Sequence, residues 1–285
     1  MFRCICNCVF TLKMAVDLMN LLCLDPKHST SPFGGQFRQI LLSKDHTNTG
    51  DFVFHYLLQH FGRREPNSSV LLVTLSHDWS NYSIASTKCG FSIRQTENGG
   101  NIVVVDIIQR FLQDTILGLE VNYCEYIVEQ FRLFMEKCAE QNGTAPAKPV
   151  TVMIDDLGIL LSLHHRATDI YHMISTISGR LRDLSTHLKS NHLNHVILQT
   201  SSDLGGTLAN IINSSDVLLT LRPLETGHST RVDGTIMISD NRLPRENKQM
   251  QLATPLMATK TVGMKKTYFY KLSDRRVRLT NSVVM

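Results

Sequence analysis

The sequence predicts an α/β fold with a mostly parallel sheet flanked by helices. The segment Val150–Leu163 is a run that is apolar on both faces, interrupted by Asp155 and Asp156, and such runs are typical of parallel strands covered on both sides. Strand-like apolar runs also alternate with segments of helical period between residues 39 and 221, which is the pattern of a parallel sheet. The last quarter changes to short antiparallel patterns, which commonly extend such a sheet.

The length of 285 residues suits one large α/β domain. The hydrophobic fraction of 42% and the charged fraction of 19% are those of an ordinary globular protein. Residues Pro26–Gly35 are rich in Ser, Pro and Gly, which indicates a linker. We therefore predict an N-terminal extension and linker over residues 1–35, with Met14 as an alternative start, and a single domain over residues 36–285.

Strands and helices are predicted to alternate through the first half of the chain. The predicted elements are the strand Gln39–Ser43, the helix Phe52–Phe61, the strand Val70–Leu75, a helix ended by Gly90, and the strand Asn101–Asp106. A longer helix follows from Asn122, which with Glu125 forms a capping-box pattern.

The second half continues the alternation and then departs from it. The predicted elements are the strand at Val150, a helix capped by Thr168 or Asp169, the strand His195–Gln199, a short helix after Gly205, and the strand Val217–Leu221. Asp233 and Gly234 indicate a hairpin turn. Residues Tyr268–Leu272 and Val277–Leu279 predict a terminal hairpin.

The strand, loop and helix between residues 39 and 61 have the order of a phosphate-binding loop, but not its chemistry. If Gly50 is aligned with the second Gly of G-x-x-x-x-G-K-[ST], Asp51 stands where Lys should reach the phosphates. Phe52 then stands where a hydroxyl should bind Mg²⁺. We therefore regard Gly50, Asp51 and Phe52 as a degenerate loop and expect no cofactor.

Asp155 and Asp156 follow the central strand, where α/β sheets place their ligand sites. In a P-loop NTPase, the Mg²⁺-holding Asp occupies this place. The alternative is that both carboxylates only cap and turn the chain after the strand. Because no matching phosphate loop is present, we treat the pair as vestigial and predict no catalytic residue.

Cysteine usage indicates a reducing compartment, because the seven Cys form an odd set without a C-x-x-C pair. Cys4, Cys6 and Cys8 could bind a soft metal, but no second cluster completes a tetrahedral site. We therefore expect no metal. No apolar run approaches the roughly 20 residues that a membrane span needs. We expect a cytoplasmic protein, with the nucleus as a second location.

Positive charge is concentrated in the C-terminal quarter. Residues 222–285 carry 12 Lys and Arg against 5 Asp and Glu, a net charge of +7, whereas residues 1–221 carry 17 against 20, a net charge of −3. Such asymmetry suits an anionic partner, nucleic acid first, and Arg275, Arg276 and Arg278 are the candidate contacts. A solvated basic face is the alternative.

Three blocks of sequence resemble the family of the sixth subunit of the Elongator complex. They are VLLVTLSHDWSNYSIASTKCG (70–90), VMIDDLGILLSL (152–163) and TYFYKLSDRRVRL (267–279). The resemblance implies a RecA-like, non-catalytic subunit that lacks a working phosphate loop. It also implies a hetero-hexameric ring with the fourth and fifth subunits, association with the remaining subunits, and tRNA binding in support of wobble-uridine (U34) modification.

Two other functions remain open at the level of sequence. One is a degenerate P-loop NTPase that holds Mg²⁺ through Asp155 or Asp156 with an unconventional phosphate clamp. The other is a RecA-like DNA-repair mediator, because the same fold serves several pathways.

Overall fold

A computed structural model describes residues 37–44, 51–63, 68–88, 91–93, 101–142, 148–187, 194–201, 205–224, 229, 232–241, 265–273 and 276–280. The predicted N-terminal extension, with Cys4, Cys6 and Cys8, lies outside the described residues. So does Gly50, and so does Arg275.

The described residues form nine strands and seven helices. The strands are β1 (Phe37–Lys44), β2 (Ser69–Thr74), β3 (Ile102–Asp106), β4 (Val150–Ile154), β5 (Asn194–Ser201), β6 (Val217–Arg222), β7 (Gly234–Asp240), β8 (Lys265–Ser273) and β9 (Arg276–Thr280). The helices are α1 (Asp51–Arg63), α2 (Trp79–Lys88), α3 (Ile107–Leu117), α4 (Tyr123–Asn142), α5 (Gly158–Ser162), α6 (Ala167–His187) and α7 (Gly205–Ser214).

All nine strands form one sheet in the order β3-β2-β4-β5-β1-β6-β7-β8-β9. The strands from β3 to β6 are parallel, and β7, β8 and β9 add antiparallel pairs beyond β6. The order places β5 between β1 and β4. This confirms the predicted mixed sheet, with its antiparallel strands at the C-terminal end.

Two apolar cores cover the two faces of the sheet. Helices α1 and α2 pack on one face, and α4, α6 and α7 pack on the other. Every residue of β2 and β4 is buried, whereas β6 alternates between buried and less buried positions. Strands that are covered on both faces are buried throughout, whereas the alternation in β6 indicates that one of its faces is less covered. Full burial of each large apolar side chain stabilises the fold by about 1.5–3 kcal/mol.

The structure departs from the sequence prediction at two helices. Helix α3 lies in a segment for which no helix was predicted. Helix α6 begins at Ala167, ahead of the expected caps Thr168 and Asp169. The amides of Asp169 and Ile170 donate to the carbonyl of Arg166, so the helix has already begun there. The Asp169 carboxylate pairs instead with the Arg166 guanidinium at 3.0 Å.

The hairpin turn expected at Asp233 and Gly234 is wrong. Gly234 is the first residue of β7, whose antiparallel partners are β6 and β8. A Cβ at Gly234 would lie 2.6 Å from the backbone oxygen of Arg222 and 2.6 Å from the hydroxyl of Tyr270. Glycine is needed here because two neighbouring strands approach closely, not because the chain turns.

Replacing Gly234 by Ala should destabilise the protein by about 1–3 kcal/mol, because the added methyl meets backbone as well as a ring. Gly179→Ala is the matched control. A Cβ there meets nothing within 4 Å, and Ala in the interior of α6 should stabilise by about 0.5–1 kcal/mol. Urea unfolding of both variants measures the difference. Equal effects would contradict the close approach at Gly234.

Candidate functional site

The candidate site lies where the carboxyl ends of β1, β5 and β4 meet at one edge of the sheet. Lys44 is the last residue of β1, Gln199 lies near the end of β5, and Asp155 and Asp156 follow β4. Helix α1 begins at Asp51 and is the next described element after β1. This is the edge at which parallel α/β sheets bind their ligands.

The ammonium group of Lys44 lies between two carboxylates at this edge. Its Nζ is 2.7 Å from Oδ1 of Asp51 and 3.4 Å from Oδ2 of Asp156. The side chains of Lys44 and Asp156 are each only 13% exposed. Burial by itself would lower the pKa of Lys44, but the two carboxylates outweigh it and raise the pKa. The site therefore contains its own permanent cation.

The carboxylate of Asp51, at the N-terminus of α1, interacts with two more side chains. Gln199 Nε2 donates to its Oδ1 over 2.8 Å, and Nε2 of His77 lies 3.7 Å from its Oδ2. Burial opposes ionisation, yet His77, Lys44 and Gln199 together hold the pKa of Asp51 well below its usual value. A carboxylate also suits the positive end of the helix dipole. Asp51 is thus an ionised carboxylate at a place where it would repel phosphate.

Asp155 is completely buried and serves as an acceptor for the end of β2. Its Oδ1 accepts from the amides of Leu75 and Ser76, and its Oδ2 accepts from the hydroxyls of Ser76 and Tyr82 at 3.0 and 2.5 Å. Burial raises the pKa of Asp155, although these donors act in the opposite direction. Burial also raises the pKa of Tyr82 well above its usual value, so the phenol stays protonated and can donate. This geometry favours the capping interpretation for Asp155.

Asp156 turns the chain after β4. It adopts a φ of 33°, in the left-handed region that Asp tolerates better than most residues. Its Oδ1 accepts from the amides of Gly158 and Ser201 and from the Ser201 hydroxyl, each at 3.3 Å. A Cβ at Gly158 would lie 2.8 Å from that hydroxyl. One oxygen of Asp156 thus ties β4 to β5, while the other faces Lys44.

Phe52 belongs to the core rather than to a binding site. The side chain is buried, and its ring lies 5.2 Å from the ring of Tyr270 in β8. The position aligned with the Mg²⁺-binding hydroxyl therefore attaches α1 to the antiparallel end of the sheet. Gly50 lies outside the described residues.

The structure brings some of the predicted site residues together and separates others. Asp51, Asp155 and Asp156 share the strand-end site. Arg276 and Arg278 lie in β9, four strands beyond β1 at the sheet edge, and so form no part of it.

Sequence reasoning did not place Lys44 or Gln199 in this site, and it did not connect His77 with Asp51. The spacing along the sequence gave no sign that these side chains converge on Asp51. The one available signal was the position of each residue at or just after the end of a predicted strand.

Among the described residues, no group of three or more His, Cys, Asp or Glu is placed to hold a metal ion. None of the described helices is long and apolar enough to cross a membrane.

The strand order, with one strand between β1 and the carboxylate-bearing β4, defines a RecA-like α/β protein. Solved structures with a similar fold include the following two. An uncharacterized protein from Pyrococcus horikoshii, in complex with an unknown peptide, matches with a TM-score of 0.54 and 11% identity over 85% of this chain and 91% of its own. The flagellar accessory protein FlaH from Methanocaldococcus jannaschii matches with the same TM-score and identity over 85% of this chain and 89% of its own.

The chain belongs to the Elongation complex protein 6 family, whose model matches residues 16–256. Elongator complex protein 6 of Homo sapiens is 24% identical over 285 residues, covering 93% of this chain and 96% of the relative. The Mus musculus protein is 23% identical over 283 residues, with the same two coverages. Membership in this family makes the chain an Elongator subunit that associates with other Elongator subunits.

Lys44→Met should destabilise the protein by about 1–3 kcal/mol, because it leaves Asp51 and Asp156 facing each other without a cation. Asp51→Asn in the same chain should restore part of that loss, since the remaining repulsion disappears. Unfolding free energies of the two single variants and the double variant measure the coupling. Strict additivity would contradict the ion pairing.

The pH dependence of stability should report on His77. The hydrogen-bonding and charge interaction with Asp51 raises the pKa of His77, although burial opposes it. The charged imidazole therefore stabilises the fold below about pH 6.5, and that stabilisation is lost as pH rises through the raised pKa. The unfolding free energy of wild type minus that of His77→Gln should be largest near about pH 5.5 and shrink above about pH 7. In an Asp51→Asn background, this pH-dependent difference should disappear.

Proposed function

We propose that this protein is a non-catalytic RecA-like subunit of Elongator. In the proposal it forms a hetero-hexameric ring with the fourth and fifth subunits, and the ring binds tRNA and supports modification of the wobble uridine U34. The observation that carries the proposal is the position and charge of Asp51. An ionised carboxylate stands at the phosphate-binding position and is already paired with Lys44.

Charge at the strand-end site supports a subunit without phosphoryl-transfer activity. Phosphoryl transfer depends on positive charge placed against the phosphates and their Mg²⁺. Here the ammonium of Lys44 is shared by two carboxylates, and Asp155 is engaged by four donors from the end of β2 and from α2. The NTPase alternative therefore has neither a free cation nor a free carboxylate among these residues.

The antiparallel end of the sheet supports the tRNA part of the proposal. Strand β9 contributes Arg276 and Arg278, and Arg278 pairs in register with Lys271 of β8. Lys271 forms an ion pair with Asp233, with Nζ 2.7 Å from Oδ1, so this part of the proposal rests on the arginines of β9 and not on Lys271. A row of basic residues on an outer strand suits the phosphate backbone of an RNA. Arg275 adjoins the row in sequence.

The test is co-expression of the full chain with the fourth and fifth subunits, followed by tRNA binding to the purified assembly over a series of salt concentrations. We expect one assembly that contains all three proteins, with a tRNA affinity that falls steeply as salt rises. Arg276→Gln combined with Arg278→Gln should weaken binding and reduce the salt slope, in log–log form, by about 2.

The matched control is Arg132→Gln combined with Arg166→Gln. These changes also remove two positive charges, but from α4 and from the start of α6, where both arginines are paired with acidic neighbours. Their tRNA affinity should stay within about twofold of wild type. A chain that purifies alone, or an assembly whose tRNA affinity does not respond to salt, would contradict the proposal.

A further inference from the structure

His165 contacts the start of α4 from the turn that lies between α5 and α6. The backbone amide of Tyr123, the first residue of α4, donates to Nε2 of His165 over 3.3 Å. The two rings also meet edge to face, with their centroids 5.8 Å apart and their planes at 87°. A single imidazole therefore connects the turn before α6 with the first residue of α4.

The backbone on both sides of His165 is held by hydrogen bonds. The amide of His164 donates to the carbonyl of Leu161, and the amide of His165 donates to the carbonyl of Leu160, each over 3.0 Å. These two bonds, with His164 at a φ of 64°, form a Schellman motif at the end of α5. On the other side, the carbonyl of Arg166 accepts from two amides in the first turn of α6. The main chain therefore fixes the position from which the imidazole reaches α4.

The hydrogen bond requires a neutral imidazole with its proton on Nδ1, because Nε2 can accept only while its lone pair is free. The first amides of a helix have no partner within the helix. In α4, Asn122 serves two of them, since its carbonyl accepts from Tyr126 and its Oδ1 accepts from Glu125. The amide of Tyr123 is bonded to His165 instead. A protonated His165 would lose this bond and place positive charge at the positive end of the α4 dipole.

The titratable groups around His165 do not reverse this preference. Asp169 of α6 attracts a protonated imidazole, but burial outweighs that attraction and lowers the pKa of His165. The Asp169 carboxylate is also paired with Arg166, with Oδ2 3.0 Å from Nε. From α4, His165 faces the phenol ring of Tyr123, while α5 has the uncharged sequence GILLS and the neighbouring His164 is exposed. The surroundings therefore favour the neutral imidazole.

Tyr123 connects this contact with α3. Its hydroxyl donates to Oδ2 of Asp114 over 3.2 Å, and the same oxygen accepts from Nε of Arg110 over 2.9 Å. The ring of Phe111 also packs against the ring of Tyr123, with centroids 6.2 Å apart. Asp114 is one of the buried residues of α3. His165 therefore supports the residue on which α3 is anchored.

We propose that His165 is a pH-sensitive latch between the turn before α6 and the start of α4. At neutral pH, its uncharged imidazole accepts from the amide of Tyr123 and holds the two segments together. In mildly acidic solution the imidazole takes up a proton, the hydrogen bond is lost, and the start of α4 opens together with its contact to α3. The latch is separate from the strand-end site and does not rest on the proposed ring assembly.

The latch and His77 respond to pH in opposite directions. Because the pKa of His165 is lowered in the folded protein, His165 begins to destabilise the fold as pH falls below its unfolded pKa of about 6.5. The pKa of His77 is raised, so its protonation stabilises the fold in the same range of pH. Global unfolding would mix the two effects, whereas a measurement at Tyr123 reports on the latch alone.

The experiment compares three forms of the full-length chain: wild type, His165→Gln and His165→Ala. Gln keeps a neutral acceptor that does not titrate, and Ala removes the acceptor. The measurement is the protection of the Tyr123 amide against hydrogen exchange, corrected for the intrinsic effect of pH on exchange. Between about pH 7.5 and about pH 5, wild-type protection should fall at least about threefold. Protection in His165→Gln should change by less than about 1.5-fold, and protection in His165→Ala should be low at both values of pH.

The second measurement is the nitrogen NMR spectrum of the imidazoles in the wild-type chain at neutral pH. We expect His165 to carry its proton on Nδ1, because Nε2 accepts from the Tyr123 amide. A proton on Nε2 would overturn the proposal without any substitution.

The matched control is His172→Gln. His172 is exposed on α6, so this change also removes one imidazole but leaves the acceptor of the Tyr123 amide in place. Its Tyr123 amide should lose protection in acid as in wild type. The latch is absent if wild-type protection at Tyr123 does not fall, or if His165→Gln loses as much as wild type. Equal loss at every amide of α4 and of the sheet would mean global acid unfolding and would also overturn the proposal.

Discussion

The ammonium of Lys44 joins two carboxylates from separate parts of the chain, and the strand-end site is organised around that contact. Asp51 comes from the start of α1, and Asp156 comes from the turn after β4. In water such a pair contributes little, but partial burial strengthens the attraction and makes the loss of one partner costly. The edge of the sheet that binds phosphate in P-loop proteins is thus occupied by an internal ion network.

This network changes what the RecA-like fold can be used for. When Asp51 replaces a phosphate-binding Lys and Phe52 packs against Tyr270, residues that could position a nucleotide instead hold α1 against the sheet. The strand-end site then stabilises the domain. The two ends of the sheet differ in chemistry, with exposed apolar side chains on α3 beside the edge strand β3 and arginines in the other edge strand, β9.

The sequence predicted the architecture well, because the apolar patterns of strands and helices are local. The fully buried run at Val150–Ile154 and the alternation around it identified the central strands. Helix α3 was not predicted, since several of its apolar residues face solvent and one of its two buried residues is Asp114. Asp233 and Gly234 suggested a turn because the pair favours one, whereas the close approach of Arg222 and Tyr270 is what requires glycine.

The sequence by itself determined the class of fold, the presence of Asp51 and Phe52 where a phosphate loop would need Lys and a hydroxyl, and the basic character of the last quarter. These properties depend on residue type and on short spacings. The tertiary structure decided that Lys44 pairs with Asp51 and Asp156, that Gln199 and His77 join them, and that Leu112 and Ile116 of α3 face outward. Those contacts depend on the order of strands in the sheet, which places residues more than a hundred positions apart at one edge.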